Sequence, residues 1–407
     1  MKRASAWFVT PHDPAGIGGG SFASRALIQA LNRIYGKSLI VVGPVGSGGI
    51  GGLSEQQIVR VPPRRRREKA YWLLRMRAVD RLTPFVDQRI ESALEMPSIV
   101  FLDTGAIGRF ARQFARRGVQ VVTFHHNVQK DYNRDARGRQ GIVIDRLSWR
   151  IVEGNERAAV QESGRNLTFS EHDAERLHAL YGGAEASFEN IGMFEREDAE
   201  PLPCLAKAQS RVGHVPRLVS TGSLCTPQSI DGLTWFLTEC LPEVRHTVGA
   251  VDYVIAGRSP PERLLRLASA MGVEVKANPA SIADVLRDAD LYVSPIRAGS
   301  GIKLRNMDGL RWGLPVVAHE VSARGYRERV GDSVEAFRTP RECALAIQRQ
   351  LSVGAAPDRR RAVQNAYLKA FSFESGLSRL DAAIDENRLC SSVSNGWNAA
   401  SDSGPGR

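Results

Sequence analysis

Short apolar runs that alternate with amphipathic segments, in two successive series, restrict the fold of this 407-residue chain more than any other feature. The runs of the first series are residues 7–10, 39–42, 99–102, 119–124 and 166–169. Those of the second are residues 218–220, 252–256, 273–275, 291–293 and 315–317. Such alternation is typical of a parallel sheet covered by helices. The sequence therefore predicts an α/β fold with two doubly wound domains, and a ligand cleft between them.

A polar stretch with prolines around it, residues 196–215, is predicted to be the linker. It separates an N-terminal domain, residues 1–195, from a C-terminal domain, residues 216–370. Residues 371–390 are predicted to form a helix that packs back on the N-terminal domain. Residues 391–407 are rich in Ser, Gly and Asn and are predicted to be disordered.

Cysteine usage and hydropathy exclude several classes of protein. The five cysteines are scattered, with no CxxC pair, so neither a disulfide framework nor a zinc site is indicated. The apolar stretch after Met1 is too short for a signal peptide, and no run approaches the ~20 residues of a membrane span. We therefore expect a cytoplasmic protein, soluble or peripheral on the inner face of a membrane.

The segment at residues 295–308 combines glycines, cations and an acid between a predicted buried strand and a predicted helix that ends at Gly313. Helix N-termini bind phosphates through free N–H groups and partial positive charge. Lys303 and Arg305 add full charges, and Asp308 can accept hydrogen bonds from a ribose diol. Lys303 and Asp308 are predicted to lie on one helix, five residues apart. The combination favours a nucleoside diphosphate site over an ordinary strand–helix junction.

Residues 299–317 resemble the donor-site signature of glycosyltransferase family 4 (glycosyl transferases group 1). Other segments resemble the same family in the right order along nearly the whole chain. They are residues 18–20, 123–128, 168–173, 190–192, 221–223 with 235–237, and 254–257. The resemblance implies the GT-B fold, two Rossmann-like domains facing a central cleft, and transfer with retention of anomeric configuration. The N-terminal domain would bind the acceptor and the C-terminal domain the nucleotide-sugar donor.

The resemblance also implies a set of site residues. His126, Lys303 and Asp308 are assigned catalytic roles. The donor-binding residues are Gly18, Gly19, Gly20, Gly222, Gly257, Arg297, Ser300, Gly301, Ile302 and Arg305. Asp308 stands at the second of two glutamates that the family often has, and Ser300 stands where the first would be. The hydrogen bonds to the donor sugar are therefore expected to differ from those of relatives.

His126 follows the apolar run at 119–124, at a strand end where α/β proteins gather ligands. We expect it to position the sugar, with His125 as the alternative. The Asp288-Ala289-Asp290 sequence resembles a metal-binding motif but precedes a strand instead of following one. A structural role is therefore expected for it, and no metal.

A basic segment carries much of the chain's net charge of +11. Residues 64–81 hold eight Arg or Lys and two acids, with Arg64, Arg65, Arg66 and Arg67 followed by Trp72. Basic residues mixed with aromatic and aliphatic ones suit an anionic membrane surface, which is the interpretation we favour. A basic helix packed on the N-terminal domain and a nucleic-acid contact are the alternatives.

The sequence thus predicts a hexosyltransferase that uses a nucleotide-diphosphate sugar as co-substrate, with no other cofactor and no metal. The acceptor would be a glycan or a lipid-linked glycan, in surface or exopolysaccharide biosynthesis, and nucleic acid is not an expected partner. One alternative is an NAD-type epimerase or dehydrogenase, which would need the dinucleotide fingerprint that Ser21 interrupts. The other is a basic nucleic-acid-binding protein.

Overall fold

The computed structural model describes residues 5–16, 18–46, 49–61, 82, 85–88, 96–136, 143–203, 215–353 and 357–385. These residues form two compact units. The first comprises Met1–Ala199 together with Phe373–Arg407, and the second comprises Glu200–Ser372. Each unit is a parallel sheet with helices, which is the α/β class expected from the alternating pattern.

The first unit has a sheet of order β3-β2-β1-β4-β5-β6-β7, parallel throughout. Its strands are β1 (Ala6–Val9), β2 (Leu39–Gly43), β3 (Ile58–Arg60), β4 (Ile99–Leu102), β5 (Gln120–His125), β6 (Arg165–Thr168) and β7 (Phe188–Asn190). Its labelled helices are α1 (Gly19–Tyr35), α2 (Arg109–Ala115), α3 (Gln129–Ala136), α4 (Val143–Glu162), α5 (Glu171–Tyr181) and, from the far end of the chain, α15 (Phe373–Ala383).

The second unit has a sheet of order β10-β9-β8-β11-β12-β13, also parallel. Its strands are β8 (Arg217–Ser223), β9 (Asp252–Arg258), β10 (Glu274–Ala277), β11 (Leu291–Ser294), β12 (Val316–His319) and β13 (Val334–Phe337). Its helices are α6 (Pro227–Trp235), α7 (Leu241–Val248), α8 (Glu262–Ala270), α9 (Ala283–Arg287), α10 (Arg305–Arg311), α11 (Glu320–Ala323), α12 (Arg327–Val330), α13 (Pro340–Ser352) and α14 (Pro357–Phe371). A π-helical turn, Phe236–Cys240, joins α6 to α7.

The central strands are continuous apolar runs because both faces of each sheet are covered. All four residues of β1, β4, β11 and β12 are buried. This is the usual pattern of parallel strands that lie between two layers of helices. Helix starts follow local signals, since the Ser170 and Thr226 side chains accept hydrogen bonds from backbone N–H groups in the first turns of α5 and α6.

Two kinds of element were absent from the sequence prediction. The edge strands β3, β7 and β13 are short, and β7 is only half-buried, so they lack the apolar runs of the central strands. Helix α4 is 20 residues long, but its inward side includes the polar Asn155 and Glu156, which masks its helical period.

Helix α15 lies in the first unit, although the second unit precedes it in the sequence. Phe373 packs against Phe194 with ring centroids 6.4 Å apart, and Arg379 donates hydrogen bonds to the carbonyls of Ile191 and Met193. The sequence placed the linker at residues 196–215, of which 204–214 lie outside the described residues, as does the tail predicted at 391–407.

Candidate functional site

In each sheet the strand order reverses at one point, which is called the switch point. It lies between β1 and β4 in the first unit and between β8 and β11 in the second. The carboxyl ends of strands at such a switch point are where open α/β sheets bind ligands. In this chain the residues that follow these four strands include most of the predicted site.

The loop after β11 has a backbone that only glycine adopts easily. Gly299 and Gly301 have φ angles of +100° and +72°, in the left-handed region. The loop leads into α10, which begins at Arg305. Ile302 is half-buried within it, and Ser300 accepts a hydrogen bond on its backbone carbonyl from Lys303.

Lys303 lies before helix α10 and not on it, so the prediction that Lys303 and Asp308 share a helix was wrong. The ammonium of Lys303 donates to the carbonyls of Ser300 and Gly301, at 3.0 and 2.9 Å. Its own carbonyl accepts a hydrogen bond from Tyr326 Oη at 2.9 Å. These contacts stabilise a turn of the loop, and the helix starts two residues later. The side chain nevertheless stays at the loop, close to the glycines.

Arg305 contacts the end of β8 as well as its own helix. Its Nη2 donates to Ser229 Oγ at 2.7 Å. A Cβ built on Gly222 would lie only 3.1 Å from the guanidinium carbon, and Gly222 has a φ angle of +126°. A side chain at position 222 would therefore press on Arg305. The structure brings Gly222 and Arg305 together at the end of β8.

Asp308 is held in a chain of hydrogen bonds that starts in the core. Its Oδ2 accepts from Thr221 Oγ1 at 2.8 Å, and the Thr221 hydroxyl lies 2.9 Å from Tyr292 Oη. Burial raises the pKa of Tyr292, and the nearby Asp308 charge raises it further. Tyr292 therefore stays protonated as a donor, and Asp308 keeps a fixed orientation at the strand ends.

Two other predicted donor residues have structural partners. Arg297 forms a bidentate ion pair with Asp231, at 2.8 and 3.0 Å, and lies over the Trp235 ring at 5.2 Å. Gly257 has no room for a side chain, because a Cβ there would lie 1.9 Å from the Gly222 carbonyl oxygen. Arg297 thus links the loop after β11 to α6 through its ion pair with Asp231. Gly257 permits the close approach of β9 to β8.

In the first unit, the switch point holds a fully buried carboxylate, Asp103, directly after β4. Its Oδ2 accepts hydrogen bonds from Thr10 Oγ1 and Ser24 Oγ, both at 2.5 Å. Its Oδ1 lies 3.0 Å from Nε2 of His126, which follows β5. Burial alone would raise the pKa of Asp103, but the His126 and His12 rings and the Ser24 hydroxyl outweigh it. The pKa of Asp103 therefore lies below its ordinary value.

His126 is stacked on a second histidine. The rings of His12 and His126 have centroids 5.6 Å apart and planes 16° from parallel. Burial lowers the pKa of His12; Asp103 opposes this effect and His126 adds to it. His125, the alternative to His126, is fully buried with Nε2 2.9 Å from Asn166 Oδ1, and burial lowers the pKa of His125 to about 4. His125 is therefore a neutral core residue at pH 7.

The glycines at 18–20 form the start of helix α1. Gly18 is its N-cap, with φ +155°, and Gly19 is its first residue. A Cβ built on Gly20 would lie 2.8–3.0 Å from three atoms of the His12 ring. Gly20 thus makes room for His12, a role that the sequence did not reveal. Ser21, which interrupts the dinucleotide fingerprint, lies within α1.

Sequence reasoning missed Asp103, Thr10, Ser24 and His12. No motif marks them, and they come together only because β1, β4 and α1 meet at the switch point. The available signal was the position of Asp103 immediately after the apolar run at 99–102. A carboxylate buried at the end of such a run needs hydrogen-bond partners. A similar signal existed at His12, three residues beyond β1.

The remaining predictions concern membrane and metal contacts. Arg64, Arg65, Arg66, Arg67 and Trp72 lie outside the described residues. None of the described helices is long and apolar enough to cross a membrane. Asp288 caps the C-terminus of α9, and Asp290 accepts a hydrogen bond from the backbone N–H of Arg217 at 2.7 Å, so both acids have the structural role expected.

Residues 215–352 match the family model "Glycosyl transferases group 1". The structure is similar to sucrose-phosphate synthase of Thermosynechococcus elongatus, with a TM-score of 0.67 and 13% identity over 95% of this chain and 100% of that one. It is also similar to Anabaena HepE in complex with UDP, with a TM-score of 0.62 and 13% identity over 94% and 100% of the two chains.

A third similar structure is WaaG, a glycosyltransferase involved in lipopolysaccharide biosynthesis, with a TM-score of 0.61 and 14% identity over 93% of this chain and 100% of that one. No curated protein matches the chain. At these identities the structural likeness establishes the fold. The second unit therefore carries a group 1 glycosyltransferase domain, and the chain has the GT-B fold of glycosyltransferases.

Proposed function

We propose that the chain transfers a hexose-type sugar from a nucleotide-diphosphate donor to a glycan or lipid-linked acceptor, with retention. The observation that supports this most is the donor loop of the second unit, defined here as residues 295–304. It places Lys303 and Arg305 beside a glycine turn at the switch point of a unit that matches group 1 glycosyltransferases. Two cations beside a glycine turn suit a diphosphate.

In the proposed step, the bond between the anomeric carbon and the diphosphate oxygen breaks, and its electron pair stays on that oxygen. Lys303 and Arg305 stabilise the charge that grows there. The acceptor hydroxyl attacks on the face that the diphosphate leaves, and its proton passes to the departing phosphate oxygen. Retention follows from this geometry without a covalent intermediate.

Asp308 binds the nucleotide ribose in this proposal. Its Oδ2 is occupied by Thr221, which fixes the carboxylate, and a carboxylate has capacity for further hydrogen bonds from a diol. HepE, which shares the fold, has been crystallised with UDP and with UDP-glucose. UDP-sugars are therefore the first donors to test.

We propose further that transfer needs no metal, because the two cations of the second unit supply the positive charge that a metal would bring. The acceptor belongs to surface or exopolysaccharide assembly at the inner face of a membrane. The basic segment around Arg64–67 and Trp72 would hold the protein to anionic lipid there.

The deciding experiment is a hydrolysis and binding screen of nucleotide sugars with the purified chain. We expect one or more donors to be hydrolysed slowly and their nucleoside diphosphates to raise the melting temperature. Arg305→Ala should lower the rate at least about tenfold, since a charge-assisted hydrogen bond contributes ~1.5–3 kcal/mol. Arg349→Ala, which removes a cation paired with Glu335 elsewhere on the same unit, should leave it unchanged. Stabilisation by NAD or oligonucleotides alone would contradict the proposal.

A further inference from the structure

Both carboxylate oxygens of Asp103 have polar neighbours, although the side chain lies in the core. It is fully buried, and its Oδ2 accepts from Thr10, which follows β1, and from Ser24 in α1, both at 2.5 Å. A buried charge is costly unless hydrogen bonds and an opposite charge compensate it. Both hydroxyls satisfy the same oxygen. The other oxygen, Oδ1, is left for a different partner.

That partner is the imidazole of His126. Nε2 lies 3.0 Å from Oδ1, within ion-pair distance, although the N–H is not aligned for a linear hydrogen bond. Hydrogen bonds in catalytic sites often reach full alignment only in the complex with substrate. The side chain of His126 is 10% exposed, and its Nδ1 is buried with no hydrogen-bond partner among the described residues. Buried ring nitrogens without a partner are rare and call for an explanation.

The ring of His126 is also held on its faces. His12 stacks against it, and Phe169 lies 5.4 Å away on a tilted plane. His12 is fixed in turn, because its ring fills the space that a side chain at position 20 would occupy. These two rings therefore limit tilting of the His126 ring, and its contact with Asp103 limits the remaining rotation.

We propose that Asp103 is a positioning residue for His126, which keeps the imidazole proton on Nε2 and fixes the orientation in which the ring meets the bound sugar. The inference rests on the proposed function, because the sugar that His126 is expected to position is the one transferred in that reaction. A carboxylate behind a functional histidine fixes both the ring orientation and the tautomer. In this arrangement Asp103 does not touch the substrate and acts only through His126.

The rival explanation is that Asp103 merely ties β1, β4 and α1 together. Asp103→Asn separates the two, because the amide keeps the shape and loses the charge. We expect kcat for donor hydrolysis to fall about 10- to 100-fold through misplacement of His126. The donor KM should change less than about threefold, because the nucleotide contacts lie in the second unit. Asp198→Asn, at a carboxylate of the same unit that pairs with Arg25 and Gln29, is the matched control and should leave both constants unchanged.

The second measurement is the tautomer of His126 itself, read from ring nitrogen chemical shifts in protein labelled at histidine and assigned with His126→Asn. The wild type should carry the proton on Nε2. Asp103→Asn should shift the population toward Nδ1–H, because the amide can donate to Nε2. Thr10→Val removes one donor to the carboxylate but keeps its charge, so it should lower kcat by only about 3- to 10-fold.

An Asp103→Asn protein that folds, turns over at the wild-type rate and keeps the Nε2 proton would overturn the proposal. If Asp103→Asn does not fold, Thr10→Val decides, and unchanged kcat and ring shifts there count against it. A wild type that hydrolyses no nucleotide sugar would defeat the proposed function. The tautomer measurement would then still judge the pairing of Asp103 with His126.

Discussion

The two units have the same strand order around their switch points, yet they place opposite chemistry there. In the first unit the strand ends hold a buried carboxylate, two stacked histidines and hydroxyl groups. In the second they hold a left-handed glycine loop, Lys303 and Arg305. Among the described residues, the buried carboxylates, Asp103, Glu156 and Asp173, all belong to the first unit.

This contrast shows what the doubly wound fold contributes and what the loops add. The fold brings strand ends together, and the residues that follow each strand decide the chemistry. The first unit is suited to orienting neutral hydroxyls, because the directions of its histidine rings and its carboxylate are fixed. The second is suited to holding a diphosphate by charge.

A contact with anionic membrane is proposed for the basic segment of the first unit. Replacement of Arg64, Arg65, Arg66 and Arg67 by Ser should weaken binding to vesicles that contain anionic lipid by up to about 4 kcal/mol, at roughly 1 kcal/mol per basic residue. Donor hydrolysis should be unaffected, because the proposed donor contacts lie in the second unit. Co-sedimentation measures the binding, with neutral vesicles as the control. Equal binding by variant and wild type would leave the segment with a structural role.

The buried acid Glu156 should make the stability of the first unit depend on pH. Its carboxylate accepts from the backbone N–H groups of Gln129 and Lys130 and from Tyr181 Oη, at 2.6, 3.2 and 2.8 Å. Burial nevertheless raises the pKa of Glu156 to about 7. An acid with a raised pKa stabilises the fold at low pH, and this contribution is lost as pH rises through 7. The unfolding free energy relative to Glu156→Gln should therefore fall by about 3 kcal/mol between pH 4.5 and 8.

Urea unfolding at a series of pH values measures this difference. Glu162→Gln is the matched control, since Glu162 lies on the same helix but pairs with Arg112 at the surface. A parallel pH dependence in wild type and Glu156→Gln would show that Glu156 does not titrate in this range.

Removal of the Lys303 ammonium tests whether the second unit stabilises the leaving diphosphate by positive charge. Lys303→Ala should lower kcat at least about tenfold, beyond any rise in donor KM, because the lost interaction strengthens as the diphosphate leaves. The matched control is Lys276→Ala, at a lysine on the edge strand β10. If Lys303→Ala, folded by circular dichroism, transfers sugar at the wild-type rate, the donor-site assignment is wrong.

Asp308→Asn should have a smaller effect and a different one. It weakens a ground-state ribose contact, so donor KM should rise about fivefold, equivalent to ~1 kcal/mol, while kcat falls less. Asp284→Asn, at an exposed acid on α9, is the control. A fall in kcat with constant KM would move Asp308 from ribose binding to the reacting centre.

Chelation should have no effect, because the second unit supplies positive charge from side chains. Activity after treatment with EDTA should equal that of the untreated protein, with or without added Mg²⁺ or Mn²⁺. Loss of activity that either ion restores would contradict metal-independent transfer and would require acidic ligands that the proposed site does not use.

The fold could be predicted from the sequence because central parallel strands are continuous apolar runs, and each such run in the prediction overlaps a strand of the structure. The edge strands β3, β7 and β13 could not, and β7 (Phe188–Asn190) shows why, since it is half-buried and carries polar residues. The donor loop could be proposed from the sequence because its glycines, cations and acid are adjacent there. Only the start of its helix was misplaced, because the hydrogen bond from Tyr326 to the Lys303 carbonyl joins residues that are 23 apart in the sequence.

The polar cluster of the first unit shows the opposite case. Asp103 is 93 residues from Thr10 and 79 from Ser24, and nothing in the sequence pairs them. His126 was found by its position after a strand and by resemblance. His12 was not, because the stack depends on a glycine in α1 that leaves space for its ring.

Helix α15 has a consequence for how the protein is made. On the ribosome, residues 1–199 emerge before the helix that packs against Phe194, and all of the second unit is synthesised in between. Gly376 lies so close to Phe194 that a Cβ there would be 2.0 Å from the ring. Until α15 is synthesised, the apolar surface around Phe194 is not covered by it, and chaperones and proteases have access to that surface. Completion of the first unit therefore cannot precede synthesis of the second.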